Sequence, residues 1–171
     1  QREYLLMSEH NAIDNNINLK VVNANLNDLP ADFRQKSFDH VMTNPPFFVT
    51  KTLSKPVAQG KSIANIENIS LNDWIFFSLK RLKSGGSFSI IHLTERLPEV
   101  LSSLSAYCGS ISIKPISSRK SRPAKRIIVQ GIKGSKGPMK LLEPFVVHDG
   151  DIHNIDKSDY SKSAKNILRF G

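Results

Sequence analysis

The sequence predicts an α/β domain with a mainly parallel sheet, closed by an antiparallel hairpin. Three observations carry that prediction. Short apolar runs alternate with segments of helical period through the first two thirds of the chain, the order that parallel sheets need. Strand-like runs then follow one another, at Ile111 to Ile116 and Ile127 to Ile132, as in a hairpin. At 171 residues and 39% hydrophobic content the chain can bury one core, so residues 1–171 read as a single domain.

Taken in order, Glu3 to Asn15 reads as a helix, with Leu5, Leu6, Ala12 and Ile13 on roughly one face. Leu19 to Asn23 reads as a short buried strand. Phe38 to Thr43 reads as a second, central one that stops at Asn44-Pro45-Pro46, because proline has no N–H to donate. Lys51 to Ile69 has mixed polarity and little period, and reads as a long loop with or without one short helix. Ser70 then opens the clearest helix. It has capping-box spacing to Asp73, Leu71, Ile75, Leu79 and Leu82 fall at helical spacing, and Gly85-Gly86 marks the end. Trp74, Phe76 and Phe77 lie inside that helix and read mainly as core packing. Ser87 to Leu93 is the next strand and Leu97 to Tyr107 the next helix. After the hairpin, Met139 to Val147 reads as one more strand and Ser158 to Leu168 as a terminal helix.

Charge narrows the partners. With 24 Lys and Arg against 15 Asp and Glu, the formal net charge is +9, which favours a polyanion: nucleic acid first, an acidic membrane surface second. No run approaches the roughly 18 apolar residues of a membrane span. A single cysteine, Cys108, excludes an internal disulfide framework and reads as a small buried hydrophobe, in keeping with a reducing cytoplasm. His148, Asp149, Asp151 and His153 are too few and too polar in context to predict a metal site. Gly131, Gly134 and Gly137 lack the following helix of a phosphate loop and read as a flexible hairpin.

The string that carries chemistry is an apolar strand running into Asn44-Pro45-Pro46-Phe47. In open α/β sheets ligands bind beyond the carboxyl ends of the strands, where this tetrapeptide falls. An exocyclic purine amine is a poor nucleophile, since its lone pair is delocalised into the ring. The carboxamide oxygen of Asn44 and the carbonyl of Pro45 can each accept one amino hydrogen. Two such acceptors favour a pyramidal nitrogen and aim its lone pair. The prolines stiffen the backbone, and Phe47 offers a flat face for the base. The competing reading is a turn that merely ends a strand.

This strand plus NPPF resembles motif IV of the amino-methylating class I methyltransferases. Downstream, Leu82-Lys83-Ser84-Gly85-Gly86, Ser121-Arg122-Pro123-Ala124-Lys125-Arg126 leading into Ile127-Ile128-Val129, and the tail from Leu141-Leu142 to His148-Asp149-Gly150 are similar to the bacterial tRNA(valine) adenine-N6 methyltransferase family. The resemblance implies a Rossmann-like sheet, S-adenosylmethionine as donor, and adenine beside a tRNA anticodon as acceptor. It implies catalytic roles for Asn44, Pro45, Pro46 and Phe47, and cofactor contacts from Asn25, Leu26 and Asn44. Asn25 stands where such families carry an Asp, and its carbonyl can accept the same hydrogen bond without the charge. Families of this kind open with a strand and a glycine-rich turn, followed by an acidic strand end. Neither is found ahead of Glu3, so the resemblance implies an N-terminally truncated domain.

Arg119, Lys120, Arg122, Lys125 and Arg126 form the densest basic cluster. A loop of this kind either tracks a phosphate backbone or is a solvated surface, and the resemblance favours RNA. Related chemistry serves guanine N2 of ribosomal RNA, DNA adenine and a glutamine amide of release factors. A catalytically inactive RNA-binding remnant is the rival of another class.

Overall fold

The computed structural model describes residues 2–26, 28–47, 69–153 and 159–170. The chain divides into an N-terminal unit, Gln1–Lys36, and a larger unit, Ser37–Gly171.

The N-terminal unit contains helix α1 (Arg2–Asp14) and one short helical turn, α2 (Ala31–Arg34). The turn after α1 includes Asn16, whose φ of 54° places it in the left-handed region that short polar residues tolerate. Of the face expected to be apolar, Ala12 is buried and Leu5 half-buried, whereas Leu6 and Ile13 are exposed. The strand expected at Leu19 to Asn23 does not form, and Leu19 is exposed. A strand exists through its hydrogen-bonded neighbour. Among the described residues this segment has none.

The larger unit is a mixed α/β layer structure. Its sheet is built from β1 (Phe38–Thr43), β2 (Leu82–Leu93), β3 (Cys108–Ser117), β4 (Arg126–Lys133) and the short β5 (Lys140–Leu141) and β6 (Phe145–Val146). The order is β1-β2-β4-β3-β5, with β6 also on β3. The pairings β1–β2, β3–β5 and β3–β6 are parallel, and β4 runs antiparallel between β2 and β3. The single strand expected over Met139 to Val147 is thus two short ones.

Helices α3 (Leu71–Lys80) and α4 (Leu97–Ser105) cover one face of the sheet. The terminal helix α5 spans Lys162–Phe170. The capping box forms as its spacing predicts. Ser70 Oγ accepts the Asp73 N–H at 3.1 Å and donates to Asp73 Oδ2 at 2.7 Å. The core joins Ile75 and Leu79 of α3 and Val100 and Leu104 of α4 to the inward row Phe88 and Ile90 of β2, Ile113 of β3, and Ile127 and Val129 of β4. Alternation does this sorting: side chains two apart in a strand share a face.

Three expectations change here. β1 has the expected bounds, yet among the described residues it lies at the end of the sheet order, and Met42 is 87% exposed. In β1 only Phe38, Val41 and Thr43 are half-buried, and Val41 alone of its residues packs on the core cluster. Gly85-Gly86 does not end α3, which stops at Lys80 with Arg81 as its cap. The glycine pair lies inside β2, where the register jumps: Phe38 faces Leu82 but His40 faces Ser87. Gly85 has φ +77°, and a side chain on Gly86 would meet the Asp39 carbonyl at 2.8 Å. Glycine punctuates helix ends and strand bulges alike, so its spacing alone misplaces it. Lastly, Trp74 and Phe77 are half-buried and Phe76 is exposed. The core face of α3 is Leu71, Ile75 and Leu79 instead.

Candidate active site

Strand direction gathers the candidate residues. Thr43 faces Ile90, Leu93 faces Arg126, and Arg126 also faces Ile116. The carboxyl ends of β1, β2 and β3 and the start of β4 therefore share one end of the sheet. NPPF and the basic β3–β4 connection both fall there.

The last residue of β1 is tied to α3, where Trp74 Nε1 donates to Thr43 Oγ1 at 2.6 Å. Beyond it Asn44 is exposed, Pro45 buried, Pro46 exposed and Phe47 half-buried. A buried proline at the second position holds the backbone while the Asn44 carboxamide stays accessible. Phe47 meets the imidazole of His92 edge to face, with centroids 5.3 Å apart and planes at 74°. The Arg126 guanidinium lies over the Phe47 ring, 5.7 Å from its centroid, within cation–π reach.

His92 was not singled out from sequence, although it continues the inward row of Phe88 and Ile90. It is 1% exposed, and its Nδ1 accepts the Leu93 N–H at 2.8 Å. Burial, and next the charge of Arg96, hold its pKa below the ordinary value against the pull of Glu99 and Glu95. The ring is therefore neutral, with its proton on Nε2. It packs against Phe47 as an apolar body rather than a cation. Arg96 itself is paired with Glu99 at 2.6 Å.

The basic segment divides in two. Lys120, Arg122, Lys125 and Arg126 are exposed. Its end is pinned to the residue that follows β2, with Thr94 N donating to the Lys125 carbonyl at 3.1 Å and Thr94 Oγ1 to that of Ala124 at 2.9 Å. Arg119 is held inward. Its Nη2 donates to Asp159 Oδ2 at 2.5 Å, its Nη1 donates to the Asp149 carbonyl, and its side chain is 12% exposed. Asn25, in an isolated bridge with Asp28, and the half-buried Leu26 belong to the N-terminal unit, and the other candidates to the larger one.

Asp159 organises the C-terminal polar cluster. Besides Arg119 it receives His153 Nδ1 at 2.9 Å and His148 Nδ1 at 2.6 Å, and Tyr160 stacks on His148 at 4.9 Å. Both histidines from the candidate metal string thus turn to one carboxylate. Among the described residues no group of three or more His, Cys, Asp or Glu side chains is arranged so that it could hold a metal ion. Gly134 (φ +78°) donates its N–H to the Tyr107 carbonyl and Gly137 accepts the Ser110 N–H, which makes this stretch a return from β4.

The Asp159 cluster predicts an acid response. The hydrogen bond from His153, then those from Arg119 and His148, hold the Asp159 carboxyl well below the usual carboxylate range. A depressed folded pKa contributes stability that is present above the unfolded value of about 3.9 and is lost only as pH falls through the lower folded value. Urea midpoints of the wild-type chain and Asp159→Asn should therefore differ at neutral pH, and still differ at pH 4. The two should converge only in stronger acid. Curves that already merge near pH 5 would refute the assignment.

The described helices include none long and apolar enough to cross a membrane. No protein-family profile matches the chain. Among solved structures, a predicted O-methyltransferase from Agrobacterium tumefaciens superposes with a TM-score of 0.66 over 97% of this chain and 69% of its own, at 20% identity. The chain has the class I methyltransferase fold. In sequence it is similar to the tRNA1(Val) (adenine(37)-N6)-methyltransferase of Trichodesmium erythraeum (strain IMS101), 29% identical over 104 residues. That match takes in 58% of this chain and spans about two fifths (41%) of the relative's length.

Proposed function

We propose that the chain forms the acceptor-binding part of an S-adenosylmethionine-dependent methyltransferase for adenine N6 in tRNA, working in the cytoplasm. The observation that carries this reading is NPPF at the carboxyl end of β1, with Phe47 in edge-to-face contact with a neutral His92 and Arg126 near its ring, and the basic β3–β4 connection at the same sheet end. The sequence similarity to a tRNA adenine-N6 methyltransferase supports the acceptor.

The residues fit the acceptor half of such a site better than the donor half. The sequence has no glycine before Gly60, so it holds no early glycine-rich turn for the methionine part of the cofactor. Asn25 and Leu26 remain the proposed cofactor contacts of the N-terminal unit, and Asn44 that of the larger unit. S-adenosylmethionine would supply an already activated methyl group. Everything else asked of the chain is positioning. Asn44 Oδ1 and the Pro45 carbonyl each accept one amino hydrogen, Phe47 carries the base, and the buried Pro45 keeps its carbonyl aimed. Lys120, Arg122 and Lys125 are the proposed phosphate contacts, and Arg119 acts through Asp159 as a tether of the loop. This basic connection favours nucleic acid over a protein glutamine as acceptor.

The test supplies labelled S-adenosylmethionine with pools of tRNA, ribosomal RNA and duplex DNA, followed by nucleoside digestion. N6-methyladenosine from tRNA is the expected product. Label in a guanine or in DNA moves the acceptor, and RNA binding without any transfer leaves the inactive remnant. In the same RNA, Arg122→Ala with Lys125→Ala should weaken affinity and reduce the slope of log affinity against log salt by up to about 2. An unchanged slope would make the connection a solvated surface.

A further inference from the structure

Arg126 was read from sequence as one basic residue among five. Its position sets it apart: its guanidinium lies over the aromatic ring of the NPPF motif, 5.7 Å from the Phe47 centroid. Three features fix it there. It is the first residue of β4, aligned with Leu93 on one side and Ile116 on the other. The two residues before it are pinned through their carbonyls by Thr94. Phe47 is backed by the buried His92, which cannot retreat from the core row it belongs to.

A guanidinium has two separate recognition surfaces. Its face stacks on an aromatic ring, while its edge presents N–H donors in a fork that matches a phosphate. Both can be used at once, which an ammonium cannot do. We propose that Arg126 is a register-setting residue for the acceptor strand. Its guanidinium stays over one side of the Phe47 ring, leaving the other side for the base, and its N–H edge takes the phosphate next to the nucleotide whose base Phe47 receives. Lys120, Arg122 and Lys125 would then hold the backbone wherever it passes. Arg126 decides which nucleotide is presented to Asn44, because stack and fork belong to one side chain. The inference rests on the nucleic-acid reading above and adds to it the identity of the phosphate that is read.

The probe is a short single-stranded RNA with one central adenosine flanked by uridines. It is compared with two copies in which a single neutral methylphosphonate replaces the phosphate on either the 5′ or the 3′ side of that adenosine. Binding is measured by fluorescence anisotropy with the whole chain, without need of cofactor. For the wild-type chain one of the two replacements should weaken binding about tenfold or more, the size of a lost charge-assisted contact. The other should have much less effect. In Arg126→Ala that difference between the two positions should vanish. Arg126→Lys should keep part of the phosphate sensitivity but lose position, responding similarly to both replacements. Arg122→Ala should bind more weakly while keeping the wild-type preference. Equal sensitivity of the wild-type chain and Arg126→Ala, or no positional preference in the wild-type chain, would overturn the inference and leave the nucleic-acid reading standing. Failure of the unmodified RNA to bind at all would overturn both.

Discussion

Phe88→Ala is expected to lower the unfolding free energy by about 3–5 kcal/mol, the range for emptying a fully buried aromatic site. Phe88 is 0% exposed in the middle of β2, aligned with Val41 of β1 and Gly131 of β4. It belongs to the same cluster as Ile75 and Leu79 of α3. The neighbouring Gly131 contributes no side chain that could swing into the void, and a Cβ there would already meet Cys108 at 3.0 Å. Collapse around the cavity is therefore limited. Because domains of this size are stable by only about 5–15 kcal/mol, the variant should sit near its unfolding transition under mild conditions. Urea titration followed by far-ultraviolet circular dichroism measures the loss. Phe88→Leu should recover much of it, since leucine leaves a far smaller cavity than alanine does. A loss under about 1 kcal/mol for the alanine variant would contradict a core centred on this strand.

Asn44→Ala should leave stability unchanged and reduce methyl transfer roughly a hundredfold or more, equivalent to about 3 kcal/mol of transition-state stabilisation. Asn44 is exposed, beyond the last pairing of β1, so its carboxamide can be removed without touching the core. What is lost is one of two acceptors that orient the amine. Their effect is greatest as nitrogen becomes tetrahedral and least in the bound ground state. RNA affinity should for that reason hardly move. Methyl transfer is measured at saturating RNA, alongside a melting curve and a binding isotherm for the same preparation. An unaltered rate would reduce NPPF to a turn that ends β1. A fall in rate matched by an equal fall in affinity would assign Asn44 to binding instead of catalysis.

Where a signal is local, the sequence was sufficient. The α3 start is written in Ser70 and Asp73, whose side chains meet within one turn, and β1 is bounded by Phe38 and the proline pair. The inward row of β4 follows from simple alternation. NPPF could be recognised without coordinates because it is contiguous, and its place at a strand end follows from the strand before it. Other features depend on residues far apart in the chain. Leu19 to Asn23 has strand composition, yet pairing decides whether such a segment is a strand, and composition does not encode the partner. Gly85-Gly86 could end a helix or bulge a strand until Asp39 is known to lie against it. Arg119 and Arg126 look equivalent in sequence, seven residues apart in one basic run. Only the tertiary structure separates them, turning one toward Asp159 and the other toward Phe47. Charge and motif chemistry are properties of the residues themselves, whereas the partner each charge meets is set by contacts that form only when the strands align.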